Sequence, residues 1–186
     1  MKKVLAWILL CVLLAGCTGS NNEMERVLSL RSSILSASGC EFDAKITADY
    51  GDKIHDFAMS CRCDGEGAVS FTVTAPETIH GITGIIDQQK GSLTFDDTAL
   101  AFSLLADEQL SPASAPWVFV TALRSGYINS AGKEGELLRC SIDDSYDEDA
   151  LNLDIWLNES DLPVRAEISY RGRRILSLAV ENFHIL

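Results

Sequence analysis

The chain has 186 residues, 27 Asp+Glu against 15 Lys+Arg, a formal net charge of −12 and a sequence pI near 4.5. That length suits one domain, and a hydrophobic fraction of 47% with only four prolines argues against a disordered or collagen-like chain. The acidity argues against nucleic acid as a partner, because phosphate binding needs a basic surface, and against broad attraction to anionic lipid.

Lys2 and Lys3 form a short positive region, followed by an uncharged apolar run from Val4 to Gly16. The run falls short of the ~20 residues of a comfortable bilayer span and has the size of a signal-peptide core. It ends in Leu14-Ala15-Gly16-Cys17, which resembles the bacterial lipobox, whose cysteine receives a diacylglycerol and becomes the mature N-terminus. Small residues fit the peptidase, and a thiol is needed for the thioether. The resemblance implies a removed signal peptide over residues 1–16, a lipidated tether over 17–22 beginning at Cys17, and a single domain over 23–186. The alternative is an ordinary secretory signal or one anchor helix. Acyl chains hold such a domain on a membrane despite its charge, at about 0.8 kcal/mol per buried methylene. The expected location is therefore exported and lipid-anchored, facing outside the cytoplasm. Thr18 is not the aspartate associated with inner-membrane retention, which points to the outer membrane if the cell has one.

Glu23 to Ser38 reads as an amphipathic helix with Met24, Val27, Leu28, Ile34 and Leu35 on one face and Gly39 as its stop. The period then changes to two. Phe42–Ala48 and Ile54–Cys63 read as a hairpin around Tyr50-Gly51-Asp52-Lys53. With Gly51-Asp52 as a two-residue loop, Cys40 lies directly opposite Cys63. Facing β-carbons about 4.5–5.5 Å apart come close to what a disulfide tolerates. Cys61 shares the face of Cys63 and is left to pair with Cys140 on another strand. Free thiols remain an alternative. So does a four-cysteine metal site, although Cys-x-Cys lacks the usual ligand spacing.

Val69, Phe71 and Val73 alternate with Ser70, Thr72 and Thr74 until Pro76 breaks the strand. Short strands follow near 82–88, 92–95 and 100–104. Pro112 to Tyr127 returns to helical spacing through Trp117, Val120, Thr121, Leu123 and Arg124, capped by Gly126. Leu137–Ile142, Leu151–Leu157, Val164–Tyr170 and Arg174–His184 close the chain as strands. The fold class is α+β: an antiparallel sheet of about ten strands with a leading helix and an inserted helical segment.

The order of elements carries a family resemblance. The phrases are the Cys17 lipobox, Val-Ser-Phe-Thr-Val-Thr-Ala-Pro (69–76), Gly-Ser-Leu-Thr-Phe (91–95), Ser-Pro-x-x-Ala-Pro (111–116), Asp-Leu-Pro-Val-Arg-Ala-Glu-Ile (161–168) and Glu-Asn-Phe (181–183). The mature chain resembles the LolA/LolB-like superfamily of periplasmic lipoprotein carriers. That implies a curved, unclosed half-barrel lidded by helices over a cavity for acyl chains or other apolar ligands. Cys17 makes the resemblance closer to the anchored LolB than to the soluble LolA. The four mature cysteines belong to no pattern of that family, and no ligand-contacting residue is transferred from it.

Chemistry is sparse elsewhere. His55, His80 and His184 lie far apart, and no Gly-x-Ser-x-Gly, His-Glu-x-x-His or phosphate loop occurs. Ser130-Ala131-Gly132-Lys133 spells Ser-x-x-Lys but sits in a glycine-rich turn without its companion motifs. Asp143 to Asp149 resembles a calcium loop in part, yet Glu148 stands where glycine is needed, so a solvated hairpin tip is expected. Arg171, Arg173 and Arg174 beside another turn fit either lipid head groups or ordinary gatekeeping. The remaining candidates are apolar: Val69, Phe71, Phe95, Phe102, Leu153, Ile155, Ile168 and Leu178 project to one side of the strands, filling the core or lining a ligand cavity. The expectation is a monomeric, non-enzymatic envelope lipoprotein without cofactor or metal. It binds a hydrophobic ligand or a lipoprotein acyl chain, or else it is an interaction or sensor module with a packed core.

Overall fold

Alternation of apolar and polar side chains from Gly39 onward gives the central strands one face to bury. The computed structural model describes residues 19–186 apart from 52, 88–89, 96–97, 104, 107–108 and 148–149. Its elements are α1 (Gly19–Ser36), β1 (Gly39–Asp49), β2 (Ile54–Asp64), β3 (Val69–Ala75), β4 (Thr83–Asp87), β5 (Lys90–Phe95), β6 (Thr98–Ser103), β7 (Leu105–Ala106) and β8 (Gln109–Leu110). Then come α2 (Ala115–Ser125), β9 (Tyr127–Glu134), β10 (Leu137–Asp143), β11 (Leu151–Leu157), β12 (Pro163–Tyr170) and β13 (Arg173–Ile185).

Eleven strands form one sheet in the order β6-β5-β4-β3-β2-β1-β13-β12-β11-β10-β9, antiparallel at every pairing, while β7 and β8 pair with each other. α2 contacts both β2 and β10, between which four strands intervene. Five strand spacings cover about 24 Å along a flat sheet, more than twice the width of a helix, so the sheet curls around α2. The result is an unclosed α+β half-barrel with helices on its concave side.

The first hairpin has the register expected from its loop. Tyr50 N–H donates to Lys53 O at 3.0 Å, Gly51 takes φ +92°, and the pairing runs from Asp49↔Ile54 to Gly39↔Asp64 with Cys40 facing Cys63. Between β1 and β13 the register shifts at Glu41/Asp43, where Asn182 adopts φ +52°. This bulge returns Phe183 to the inner face, and an asparagine tolerates the left-handed backbone better than most residues.

The helices and the edge differ from the sequence expectation. α1 begins at Gly19 and buries Val27, Leu30 and Ile34, whereas Leu28 and Leu35 are 49% and 51% exposed. The stripe that meets the sheet is thus 27, 30, 34, one step around the helix from the face inferred from spacing. α2 is shorter than 112–127, with a single 3-10 turn at Pro112–Ser114 ahead of it. Its buried side includes Val118, Phe119 and Ala122, while Trp117, Thr121 and Arg124 are half-buried. Ser130–Lys133 belongs to strand β9, not to a turn. β9 is an edge strand without a buried side chain, so it has no alternation to read.

Candidate functional site

Val69 and Phe71 on β3, Leu153 and Ile155 on β11, Ile168 on β12 and Leu178 on β13 all point to the concave side and are 0–3% exposed. Ladder contacts gather them into two patches. Leu153 faces Ile168, Ile168 faces Leu176, and Leu178 lies between Ile46 and Ala166. Phe71 lies between Cys61 and Gly84, and Val69 between Cys63 and Ile86. Phe95 and Phe102 lie on β5 and β6, outside the residues whose side chains are described. Cys17 and the signal segment also lie outside the described residues.

Between the patches stands an aromatic trio that spacing alone did not single out. The Phe42 ring packs edge-on to Phe119 of α2 with centroids 5.5 Å apart and stacks on Phe183 at 5.7 Å; Phe119 meets Phe183 edge-on at 6.4 Å. Phe119, fully buried, is the plug by which α2 enters the half-barrel. The signal for it was weak, because one phenylalanine in an apolar helix carries no periodicity of its own.

Three arginines tie the helices down. Arg31 of α1 donates from Nε to Leu123 O at 2.7 Å and from a terminal nitrogen to Ala122 O at 3.0 Å, two carbonyls at the C-terminal end of α2, the second shared with Gly126 N–H. Arg124 reaches Gly65 O in the β2–β3 turn at 2.7 Å. Arg26 donates to Asp161 Oδ1 beyond β11 at 2.7 Å. Burial lowers the Arg31 pKa from its ordinary value, and the nearby Cys140 opposes that shift. Beside the lid, the Tyr50 hydroxyl donates to Leu110 O at 3.2 Å, and burial pushes its pKa up.

All four cysteines are buried free thiols in this structure. Cys40 and Cys63 are brought together as expected; Cys61 and Cys140 are not, since four strands of the ladder separate them. Desolvation raises the Cys61 thiol and pushes Cys140 up to about 12. Neither is an activated nucleophile.

The convex face is polar. A groove of about 470 Å³ runs over β13, β1, β2, β3 and β4, lined by Asp43, Ser60, Arg62, Thr72, Asn182 and His184 among others. It is an open surface feature that also touches Phe42, Cys61 and Phe71. On the same face, Arg165 and Arg139 lie over the Trp156 ring at 4.4 and 5.5 Å. The arginines flanking the β12–β13 turn are engaged within the chain: Arg173 with Asp49 at 3.6 Å, Arg174 with Glu167 at 2.8 Å, and Arg171 over the Tyr170 ring at 5.1 Å. All three histidines are exposed. Among the described residues, no three His, Cys, Asp or Glu side chains converge on one point.

No family model matches the chain, and no curated protein matches it. Solved structures do. A putative outer membrane lipoprotein-sorting protein domain from Vibrio parahaemolyticus is 8% identical, with 89% of this chain and 92% of that one covered and a TM-score of 0.49. A LolA superfamily protein from Nitrosomonas europaea is 7% identical over 86% and 93%, TM-score 0.46. The Mycobacterium tuberculosis lipoprotein LppX is 15% identical over 87% and 93%, TM-score 0.42. The architecture of the chain is an open antiparallel sheet curled around two helices, the unclosed α+β half-barrel expected from the order of its elements.

Proposed function

We propose that this protein is an exported, lipid-anchored envelope protein whose half-barrel takes up an apolar ligand, or the acyl chain of a lipoprotein, beneath its two helices. The observation that carries this reading is the closure of an apolar concave face by helices instead of a second sheet. Helices held by side-chain bonds to carbonyls move away without breaking a backbone ladder, and the six described candidate residues then form a wall for acyl chains. No reaction is assigned to the half-barrel.

A second reading has its own support. The six residues are buried in a continuous core with the aromatic trio, which suits a packed interaction or sensor module. Native mass spectrometry separates the two. The protein is purified in mild detergent and incubated with a long-chain fatty acid or phosphatidylethanolamine. A retained mass of one lipid, lost on denaturation and lost in a variant carrying Ile168→Asp, supports the carrier. A mass that stays free of lipid in every mixture overturns it in favour of the packed module.

A further inference from the structure

We infer that Cys40 and Cys63 are a redox pair poised to close a cross-strand disulfide, while Cys61 and Cys140 remain thiols. Register is the first ground. The two residues are direct partners across β1 and β2, in a hairpin whose pairing is unbroken from Asp49↔Ile54 to Gly39↔Asp64, so no slip separates them. Partnered Cα atoms in an antiparallel ladder stand about 4.5–5.5 Å apart, within the range that a disulfide spans.

The second ground is the electrostatic coupling of the two thiols. Each perturbs the other, Cys63 raising the Cys40 pKa and Cys40 lowering that of Cys63; the Arg124 guanidinium at the end of α2 adds to the lowering at Cys63 and opposes the rise at Cys40. Cys63 Sγ also lies 3.2 Å from Asp64 O. The third ground is Gly39. A β-carbon there would sit 2.1 Å from Cys63 O, and its φ is +156°. Only glycine lets the strand end close this tightly on the Cys63 peptide.

The same geometry leaves the other two thiols out. Cys61 points the same way as Cys63 but is partnered by Phe42 and Phe71. Cys140 faces Ala131 and Ile155, with its sulfur 3.5 Å from Ile155 O, across four intervening strands.

The chemistry is thiol–disulfide exchange with a disulfide donor. The Cys63 thiolate attacks one donor sulfur, a new S–S bond forms, and one donor thiolate leaves. Cys40 then loses its proton and attacks Cys63 Sγ, expelling the donor's second thiolate. Two cysteine thiols are oxidised and one donor disulfide is reduced, the two protons ending on the donor's thiols. Both residues are 1% exposed in the folded protein. Exchange therefore takes place after the hairpin pairs and before α2 settles on β2. In the cell the reaction needs an oxidising compartment, and to that extent it rests on the export reading.

The test maps each residue. The mature chain, carrying Cys17→Ser so that only Cys40, Cys61, Cys63 and Cys140 remain, is refolded from its reduced, denatured state in a mixture of reduced and oxidised glutathione, quenched in acid, denatured and alkylated. It is then reduced and alkylated again with a second reagent. Trypsin cleaves after Arg62 and so separates Cys61 from Cys63. The expected result is the second label on Cys40 and Cys63 and the first on Cys61 and Cys140. A C61S/C140S double variant should still lose two hydrogens, and C40S should lose none. First label on all four residues, or a linkage through Cys61 or Cys140, overturns the proposal. The same labelling on the native host reports the compartment. A pair that forms in glutathione but is reduced in the cell overturns export and leaves the pair standing.

Discussion

Asp43 shows how a carboxylate on the convex face is built into the sheet. Asn182 Nδ2 donates to it at 2.8 Å and Ser60 Oγ at 2.7 Å, from the strands on either side. Those bonds, Asn182 first, hold its carboxyl below the ordinary aspartate range. A group whose folded pKa is depressed stabilises the protein above its unfolded pKa, and the contribution disappears as the pH falls through the folded value. Asp43→Asn is therefore expected to lower the melting temperature at pH 7, with the gap to wild type closing as the pH falls through and below the ordinary aspartate range. Thermal unfolding across that range checks it, and a gap constant with pH sinks the explanation. Glu167 behaves similarly for a different reason: burial alone would raise its pKa, but hydrogen bonds from Arg165 and Arg174 outweigh that and hold it low. Gly39 makes a sharper case. Alanine there meets Cys63 O at a distance no β-carbon tolerates, on a backbone that L-residues avoid. Gly39→Ala is expected to cost about 2–3 kcal/mol in the denaturant midpoint.

At the scale of elements, the lid is the part that should respond separately from the sheet. Arg31→Ala removes two charge-assisted bonds to the end of α2, worth about 1.5–3 kcal/mol each when fully formed. The expected signature is faster amide exchange in α2 with unchanged protection in β1 and β13. Arg31→Lys should restore it only in part, because a lysine cannot present the planar fork that serves both carbonyls. Equal loss of protection everywhere would mean that α2 is not an independent lid. The hairpin β1–β2 is the other separable element. An oxidised Cys40–Cys63 pair closes a loop of moderate length and should stabilise the fold by about 3 kcal/mol, seen as a higher denaturant midpoint without reductant. These elements were unequally legible in the sequence. The register of the first hairpin followed from four loop residues, since a two-residue turn fixes every pair behind it. Edge strand β9 was invisible because Tyr127–Glu134 buries nothing and so shows no period of two. In α1, Leu28 and Leu35 misled because an exposed leucine looks the same as a buried one until the partner surface is known.

For the whole molecule, the inward direction of the six described candidates was legible, because strands with one buried face alternate. Whether those residues pack or line a cavity was not, since that depends on how deeply Phe119 enters, a matter of helix placement that strand periodicity does not encode. Truncating the plug tests the depth. Phe119→Ala is expected to destabilise by about 3–5 kcal/mol while keeping the sheet's circular dichroism. A loss under about 1 kcal/mol would mean that the lid rests on the surface. The anchor is tested at the same scale: Cys17→Ser should shift the protein from the membrane fraction to the soluble extracytoplasmic fraction. Finally, β1 sits in mid-sheet between β2 and β13, its neighbour in sequence and the strand most distant from it, and Leu186 N–H donates to Gly39 O at 3.0 Å. The centre of the ladder therefore stays half-built until nearly the whole described chain is present. Such a polypeptide resists premature folding, and a secretion pore that accepts only unfolded chains would receive it as a thread that acquires its shape on the far side.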